Sequence, residues 1–437
     1  MSTDLDLQIA IHYGVPTTAS ILAFDPIQSL LAIGTLDGRI KVVGGDNIEA
    51  ILISPKESPC KYLEFLENQG LLVSISNDND VQVWSLERRC IAASLQWESN
   101  ITAFSVIYAS HFMYIGDEHG MLSVLKYETD GAQLLQLPYH ITWDHLTKAC
   151  GFSVPNHQPI VGVLPQPCSS WKRVLIAYAS GLFAVWDVVE AQIVVVKGDK
   201  VLQLKDGVVD PHTEVHMHPD AAGQHMEVKE IGALCWASSN GSILAVGYID
   251  GDILFWKTSN TAIIKGKKAE LSCSNVVKLQ LSSAARRLPV IVLHWSAKSK
   301  SHNDYDGQLF IYGGCEIGSE EVLVVLNLEW SSGMETLKCV GRVDITLNGS
   351  FADMILLTSA GTIENNHNAG LFVLTNPGRV HFFDDIRLSA SSSQQVNRIP
   401  DFSVEFLKVV PTADPQITAV SLVFYLQLES YPKLSQR

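Results

Sequence analysis

One stretch of the chain has residue types and a spacing that could bind a metal ion. His212, Glu214, His216 and His218 alternate along it, and His225 follows. In an extended strand alternate side chains point to the same side, so these groups could present nitrogen and oxygen atoms to zinc. The alternative is a solvated polar loop of biased composition, because a structural metal site normally also takes a ligand from a second, fixed element. The sequence favours the polar loop, and we predict no metal and no cofactor.

Acidic residues at three predicted turns could be mistaken for catalytic carboxylates. Asp37, Asp78 and Asp250 each lie close to a Gly or Asn, where an Asp side chain favours a turn through a hydrogen bond to its own backbone. The chain contains no G-x-S-x-G elbow, no G-x-x-x-x-G-K-S/T loop, no G-x-G-x-x-G fingerprint and no H-E-x-x-H helix. The aspartates therefore predict turns, and the sequence predicts a protein that is not an enzyme.

Composition disfavours further classes of function. The formal net charge is −15, and the basic clusters are KGKK at residues 265–268 and Arg286-Arg287. Binding to nucleic acid, which needs a basic stripe, is therefore disfavoured. The eight cysteines have no C-x-x-C spacing and are typical of free thiols. Since there is no run of about 18 apolar residues and no signal-peptide pattern, we expect a cytoplasmic protein without direct membrane insertion.

A repeated pattern organises the whole chain. An apolar run, a Gly- or Asn-centred turn and an alternating strand recur seven times, with turn centres at Gly38, Asn79, Gly120, Gly181, Gly251, Gly307 and Gly378. Gly and Asn tolerate the positive φ of a tight hairpin turn, and the alternation after each turn is that of a half-buried strand. The shortest spacing between turn centres is 41 residues, which is close to the length of one WD40 unit.

A further apolar strand precedes each hairpin, and another follows it, as at residues 50–54 of the first blade, so each repeat reads as a four-stranded unit. The predicted inner strands are residues 19–24, 60–65, 101–106, 160–164, 231–236, 276–281 and 351–357. Small sheets of this kind bury their faces against one another, and a closed ring leaves no long free edge. The predicted fold is an all-β, seven-bladed WD40-type β-propeller. Trp84, Trp186 and Trp256 end three of the repeats, and we predict that they pack between neighbouring blades.

An active site in the funnel of such a ring would need acidic or His side chains from several inner strands. The predicted inner strands are almost wholly apolar, which argues against one.

Insertions interrupt the regular repeat. We assign residues 1–400 to the propeller, with loop insertions at about 139–158, 198–229, 297–306 and 359–370, and residues 401–437 to a closing strand or the start of a second propeller. The insertions are polar and predict surface loops, where recognition is usually placed. The outer strand of the last blade comes from residues 9–13 or from residues 402–409, and the sequence leaves both open.

Several blocks in order resemble a known family. Phe-Asp-Pro at residues 24–26, AIGT at 32–35, Phe-Leu-x-Asn-x-Gly at 65–70 and RVLIAYASGLFAVWD at 173–187 are similar to the tomosyn and lethal giant larvae family. The resemblance implies a cytoplasmic double propeller, peripheral at the plasma membrane. It implies binding of syntaxin-type SNARE proteins and regulation of vesicle docking and exocytosis or of cell polarity, without catalysis. No catalytic or ligand residue of the family maps onto these blades.

The chain departs from the family at its C-terminal end. The tomosyn branch ends in a SNARE-like coiled coil, whereas this chain stops at Arg437 without a sustained heptad pattern. We therefore expect weaker SNARE binding than a full-length relative shows. The predicted function is a non-catalytic WD40 scaffold that binds SNARE proteins, and the alternative is a generic WD40 adaptor subunit of another multiprotein complex. The sequence leaves open the binding face, the SNARE bound and the oligomeric state.

Overall fold

The computed structural model describes residues 14–45, 48–150, 158–167, 169, 172–198, 204–208, 229–258, 276–297, 306–330, 337–358 and 368–384. Within these residues the strands form seven sheets, and in each the first of the antiparallel strands is innermost.

The first four sheets have four antiparallel strands each. The first blade consists of β1 (Ala19–Asp25), β2 (Leu30–Thr35), β3 (Arg39–Gly44) and β4 (Glu49–Ile53). The second consists of β5 (Cys60–Leu66), β6 (Leu71–Ser76), β7 (Asp80–Ser85) and β8 (Cys90–Gln96). The third consists of β9 (Ile101–Val106), β10 (Phe112–Asp117), β11 (Leu122–Glu128) and β12 (Gln133–Ile141), and α1 (Trp143–Cys150) follows. The fourth consists of β13 (Ile160–Pro165), β14 (Arg173–Tyr178), β15 (Phe183–Asp187) and β16 (Gln192–Lys197).

The last three sheets vary in strand number. The fifth blade consists of β18 (Ile231–Trp236), β19 (Ile243–Tyr248), β20 (Asp252–Lys257) and β21 (Val276–Gln280), and β17 (Leu204–Val208) pairs in parallel with β21 at its outer edge. The sixth consists of β22 (Val292–Ala297), β23 (Gly307–Tyr312), β24 (Val322–Trp330) and β25 (Leu337–Thr346). The seventh has three described strands, β26 (Ser350–Thr358), β27 (Asn368–Asn376) and β28 (Arg379–Asp384).

The blades close into a ring. The inner strands follow one another in the order β1, β5, β9, β13, β18, β22 and β26, and β26 returns to contact β1. An apolar cluster fills each of the seven junctions between neighbouring blades. The core is thus distributed around the ring, as expected for sheets that cannot bury an apolar face alone. The predicted seven-bladed β-propeller is confirmed.

The three repeat-ending tryptophans are buried between blades, as predicted. Trp84 packs in the cluster between the first and second blades, and Trp186 in that between the third and fourth. The Trp256 ring meets the Phe183 ring of the fourth blade edge to face, with their centroids 5.4 Å apart.

The sixth blade differs from its prediction. The sequence predicts residues 276–281 as its inner strand, but β21 pairs with β20 and is the fourth strand of the fifth blade. The inner strand is β22, and Gly307 begins β23 instead of centring a hairpin turn. Two apolar runs precede Gly307, and alternation alone does not reveal which neighbour each one pairs with. The insertion at 297–306 therefore joins the first and second strands of this blade.

The first predicted insertion is in part a packed element. Residues 139–141 belong to β12, and α1 follows with Trp143 and Leu146 buried in the cluster between the third and fourth blades. The Trp143 and Tyr178 rings meet edge to face with their centroids 4.8 Å apart. Apolar side chains three residues apart lie on one face of a helix, which explains why this segment packs. Within the described part of the chain, no helix has the length and hydrophobicity that a bilayer crossing requires.

The remaining insertions lie mostly outside the described residues, as do the two candidate closing strands at 9–13 and 402–409 and the segment 401–437. These assignments stay predictions.

Candidate partner-binding face

One end of each sheet carries the turn between its second and third strands, and we call these ends together the turn face. On the fifth and sixth blades three segments meet there: the β19–β20 turn, the β21–β22 connector and the β23–β24 turn. The Val290 N–H donates to the Tyr248 carbonyl oxygen at 3.1 Å, and the Leu288 N–H donates to the Cys315 carbonyl oxygen at 2.8 Å. These backbone bonds join two blades into one continuous platform.

Two glycines allow the three segments to approach so closely. Gly251 has a φ of +83°, and a Cβ there would lie 2.7 Å from the Cβ of Arg287. Gly313 has a φ of +102°, and a Cβ there would overlap the Pro289 carbonyl oxygen. At both positions the positive φ and the close neighbouring atoms exclude a larger side chain. The β21–β22 connector can therefore pack closely against the β19–β20 turn on one side and the β23–β24 turn on the other.

A buried carboxylate fixes the charged side chains of the platform. Asp252 is 1% exposed; its Oδ2 contacts Lys229 Nζ and lies 2.7 Å from Lys278 Nζ, and its Oδ1 lies 2.8 Å from Arg287 Nη2. Gln280 Nε2 also donates to Oδ1 at 2.8 Å. Burial alone would raise the pKa of Asp252, but the hydrogen bonds from Lys229 and Lys278 hold it well below its usual range. Arg287, half of the predicted Arg286-Arg287 basic cluster, is therefore anchored to the neighbouring blade.

Three aliphatic side chains project from the same platform. Ile249, Ile291 and Ile317 are 47%, 51% and 56% exposed. Ile291 N–H donates to the Tyr312 carbonyl oxygen at 2.9 Å, and Ile317 N–H to the Arg286 carbonyl oxygen at 3.3 Å, so both backbones belong to the bonded frame. Apolar side chains on a rigid frame with charged neighbours are typical of protein-binding surfaces. The arrangement suits binding of a protein partner.

Glu64, His294 and Asp353 are among the titratable side chains of the inner strands that the sequence analysis missed. They lie on β5, β22 and β26 and are half-buried. The signal was available, because each is a polar residue within a mainly apolar strand. Glu64 Oε2 accepts a hydrogen bond from the backbone N–H of Val106 on the next inner strand at 2.8 Å. Among the described residues no group of three or more His, Cys, Asp or Glu side chains could hold a metal ion.

The Phe-Asp-Pro block of the family resemblance has a structural role. Asp25 is fully buried, and its carboxylate accepts hydrogen bonds from the N–H groups of Ile27 and Gln28 at 2.9 and 3.0 Å and of Asn68 at 2.8 Å. It thus ties the β1–β2 turn to the second blade. Burial, with the Asp25 charge as a second cause, raises the pKa of the neighbouring Glu67 to about 7.

The predicted turn aspartates make local bonds. Asp37 binds Arg39 Nη2 at 2.7 Å; burial opposes ionisation, but the bonds from Arg39 and Thr35 lower its pKa to about 2. Asp250 Oδ1 accepts the Asp252 N–H at 3.0 Å, and the Asp78 carbonyl oxygen accepts Gln96 Nε2 at 2.7 Å. The side-chain contacts of Asp37 and Asp250 fit the predicted turn roles, whereas the Asp78 contact is made by its backbone.

Other predicted features lie outside the described residues. They are the candidate metal-binding group His212, Glu214, His216, His218 and His225, and the basic cluster at 265–268. Five described cysteines form no disulfide bond: Cys60, Cys90, Cys235, Cys315 and Cys339.

Comparison with known proteins supports the resemblance seen in the sequence. No protein-family model matches the chain. It is 22% identical over 274 residues to lethal(2) giant larvae protein homolog 1 of Rattus norvegicus, a match that covers 57% of this chain and 23% of the relative. It is 26% identical over 194 residues to LLGL scribble cell polarity complex component 2 of Mus musculus, covering 40% of this chain and 19% of the relative. The resemblance to the lethal giant larvae proteins is thus confirmed, and the matches span less than a quarter of the length of these relatives.

The fold has a solved counterpart. The Cps50 (Swd1) β-propeller domain of Myceliophteria thermophila superimposes with a TM-score of 0.53 at 12% sequence identity, covering 86% of this chain and 99% of that domain. At this identity the similarity establishes the propeller fold alone.

Proposed function

We propose that this chain is a non-catalytic propeller scaffold of the cell-polarity and membrane-trafficking machinery, which binds syntaxin-type SNARE proteins through the turn face of its fifth and sixth blades. It acts in the cytoplasm and peripherally at the plasma membrane. One of the relatives is a cell polarity complex component by its name, which supports the polarity part of the proposal. The SNARE partner is what the family resemblance of the first blades implies.

The observation that carries the binding role is the set of three exposed isoleucines on a rigid frame. Ile249, Ile291 and Ile317 stand on segments whose backbones are bonded across two blades, so little conformational entropy is lost when a partner covers them. Removing exposed aliphatic side chains such as these from water contributes binding energy. The ion pairs of Asp252 hold the backbone segments that carry them in position.

Calorimetric titration against a syntaxin-type cytoplasmic domain tests this role. We expect Ile291→Asp and Ile317→Asp each to weaken binding at least about tenfold, because each places a charge where the partner must remove water. Val189→Asp is the matched control: Val189 is 66% exposed on the β15–β16 turn, at the opposite end of its blade. Equal affinity of all three variants and the parent chain would overturn the assignment of the face.

The identity of the partner is tested separately. In capture from a membrane lysate we expect syntaxin-type SNAREs to be enriched on the parent chain and reduced on Ile291→Asp. Enrichment of the subunits of another complex, without SNAREs, would favour the generic adaptor and contradict the proposed partner.

A further inference from the structure

The seventh blade has three strands among the described residues, whereas every other blade has four antiparallel strands. β28 pairs with β27 on one side, and no described strand pairs with its other side. Val380 and Phe383 of β28 are buried, one in each of the two junctions that flank this blade. A packed strand whose outer backbone groups are unpaired can accept one more strand. The outer edge of β28 is therefore a site for a further strand.

In the other blades, the connector to each inner strand follows a common path. Its last residue accepts a hydrogen bond from the N–H group that directly follows the second strand of the blade it enters. This bond joins Asn77 to Pro59 at 2.9 Å, Glu118 to Asn100 at 3.0 Å, Ala179 to Pro159 at 2.9 Å and Ile249 to Glu230 at 3.1 Å. In each of these cases the connector comes from the preceding blade.

Residues 14–18 follow the same path into the first blade. The Leu36 N–H, which directly follows β2, donates to the Thr18 carbonyl oxygen at 2.9 Å. On the side of the seventh blade, a Cβ on Gly378 of the β27–β28 turn would overlap the Pro16 carbonyl oxygen. The corresponding turn of the fourth blade approaches its connector similarly, since a Cβ on Gly181 would lie 2.6 Å from the Lys229 carbonyl oxygen. Residues 14–18 thus have the position of a connector from the seventh blade to the first.

The start of this segment is packed and not exposed as a free chain end would be. Gly14, Val15 and Pro16 are buried, and Val15 lies in the apolar cluster between the seventh and first blades. Gly14 has a φ of +91°, close to the φ of +94° at Gly198, which directly follows the outer strand β16 of the fourth blade. The backbone at Gly14 therefore resembles that of a chain leaving an outer strand.

We propose that residues 9–13 form the fourth strand of the seventh blade, antiparallel to β28, so that a single sheet joins the beginning of the ring to its end. Ile9, Ile11 and Tyr13 alternate with smaller or polar residues, which is typical of a strand with one buried face. Connectors as short as residues 97–100 and 347–349 join other blades. Residues 14–18 are therefore long enough to reach from the edge of β28 to β1.

The competing segment is residues 402–409, which also alternates. If that segment paired with β28, residues 14–18 would leave no outer strand, and the burial of Gly14 and Val15 would have to offset the entropy lost by an ordered chain end alone. A strand directly before Gly14 removes this difficulty, because its backbone hydrogen bonds fix the start of the connector. The position of residues 14–18 therefore favours residues 9–13.

Hydrogen exchange of the unmodified full chain, measured by mass spectrometry, tests the pairing. We expect peptides over residues 9–13 to be protected as strongly as peptides over β4, the outer strand of the first blade. Exchange of residues 9–13 at the intrinsic rate would overturn the proposal. Protection that is lost on dilution would assign the strand to a second copy of the chain, and would overturn it as well.

Two double variants of the full chain separate the two segments. Ala10→Pro with Ile11→Pro removes two successive N–H groups, one of which must face β28 in a paired strand. We expect it to reduce the protection of peptides over residues 379–384 at least about tenfold, without changing those over 80–85 of the second blade. Glu405→Pro with Phe406→Pro is the matched control and should leave residues 379–384 unchanged.

A loss of protection at residues 379–384 in the control variant alone, an equal loss in both variants, or no loss in either would overturn the proposal. If the variant at positions 10 and 11 fails to fold, the exchange profile of the unmodified chain decides by itself.

Discussion

Two junctions of the ring use opposite electrostatic arrangements to join their blades. Between the fifth and sixth blades, Asp252 is ionised and surrounded by Lys229, Lys278 and Arg287. Between the seventh and first blades, Asp353 accepts two backbone N–H groups and has no described cation beside it. The cations around Asp252 hold the pKa of that carboxyl well below its usual range, whereas burial raises the pKa of Asp353, so the same side-chain type is shifted in opposite directions by its surroundings.

The two arrangements respond to pH in opposite directions. The pKa of Asp252 is depressed, so its contribution to stability is present above the ordinary Asp pKa and is lost as the pH falls through the depressed value. The pKa of Asp353 is raised, so its contribution is present at low pH and is lost as the pH rises through neutrality. The exposed isoleucines stand on the junction that keeps its electrostatic stabilisation at neutral pH.

The largest expected effect is the loss of stability on disrupting the apolar cluster that each of the two junctions contains. Phe255 packs between the fifth and sixth blades with its ring centroid 5.8 Å from that of Trp330, and Phe372 packs between the seventh and first. We expect Phe255→Ala and Phe372→Ala each to cost about 3–5 kcal/mol, because each leaves a cavity in a buried cluster. Urea unfolding at pH 6 and pH 8 measures this. A much smaller loss of unfolding free energy for one of the two variants would show that the clusters do not contribute equally, and would contradict the claim that the junctions share this source of stability.

A smaller effect is expected from removing the ionised carboxylate. Asp252→Asn leaves Arg287 with no compensating anion in a nearly buried position, and we expect a loss of about 2 kcal/mol. This lies below the range for fully buried pairs, because Lys229 and Lys278 remain partly exposed and are screened by solvent. Urea unfolding at pH 7 provides the measurement, and the control is Asp78→Asn, which changes an exposed carboxyl on the β6–β7 turn of another blade. An unchanged midpoint would mean that the ionic group does not stabilise the platform.

Much of this fold could be predicted from the sequence. Turn glycines such as Gly38 and Gly378, alternating strands and the repeat-ending Trp84, Trp186 and Trp256 are local signals, and the ring follows from them because each sheet needs a neighbour. The strand assignment of the sixth blade was wrong because its turn, at Gly313 and Gly314, lies in a longer loop. The more regular signal at Gly307 marks the start of a strand instead.

The candidate face could be predicted only in part. Arg286-Arg287 was noticed as a basic cluster, but its bond to Asp252 joins residues 35 positions apart on two blades, and no local pattern contains that information. The exposure of Ile249, Ile291 and Ile317 is likewise a property of the assembled turns, since exposed and buried isoleucines look alike in a sequence. Glu64 and Asp353 could have been found, as charges within apolar strands.

The most direct measurement of the central claim is a hydrogen-exchange footprint of the chain with and without a syntaxin-type cytoplasmic domain. We predict added protection in peptides over residues 281–291 and 313–321, which form the platform, and none in the β15–β16 turn around Val189. Protection confined to other blades, or no protection at a partner concentration that saturates binding, would contradict the assignment of the fifth and sixth blades as the binding face.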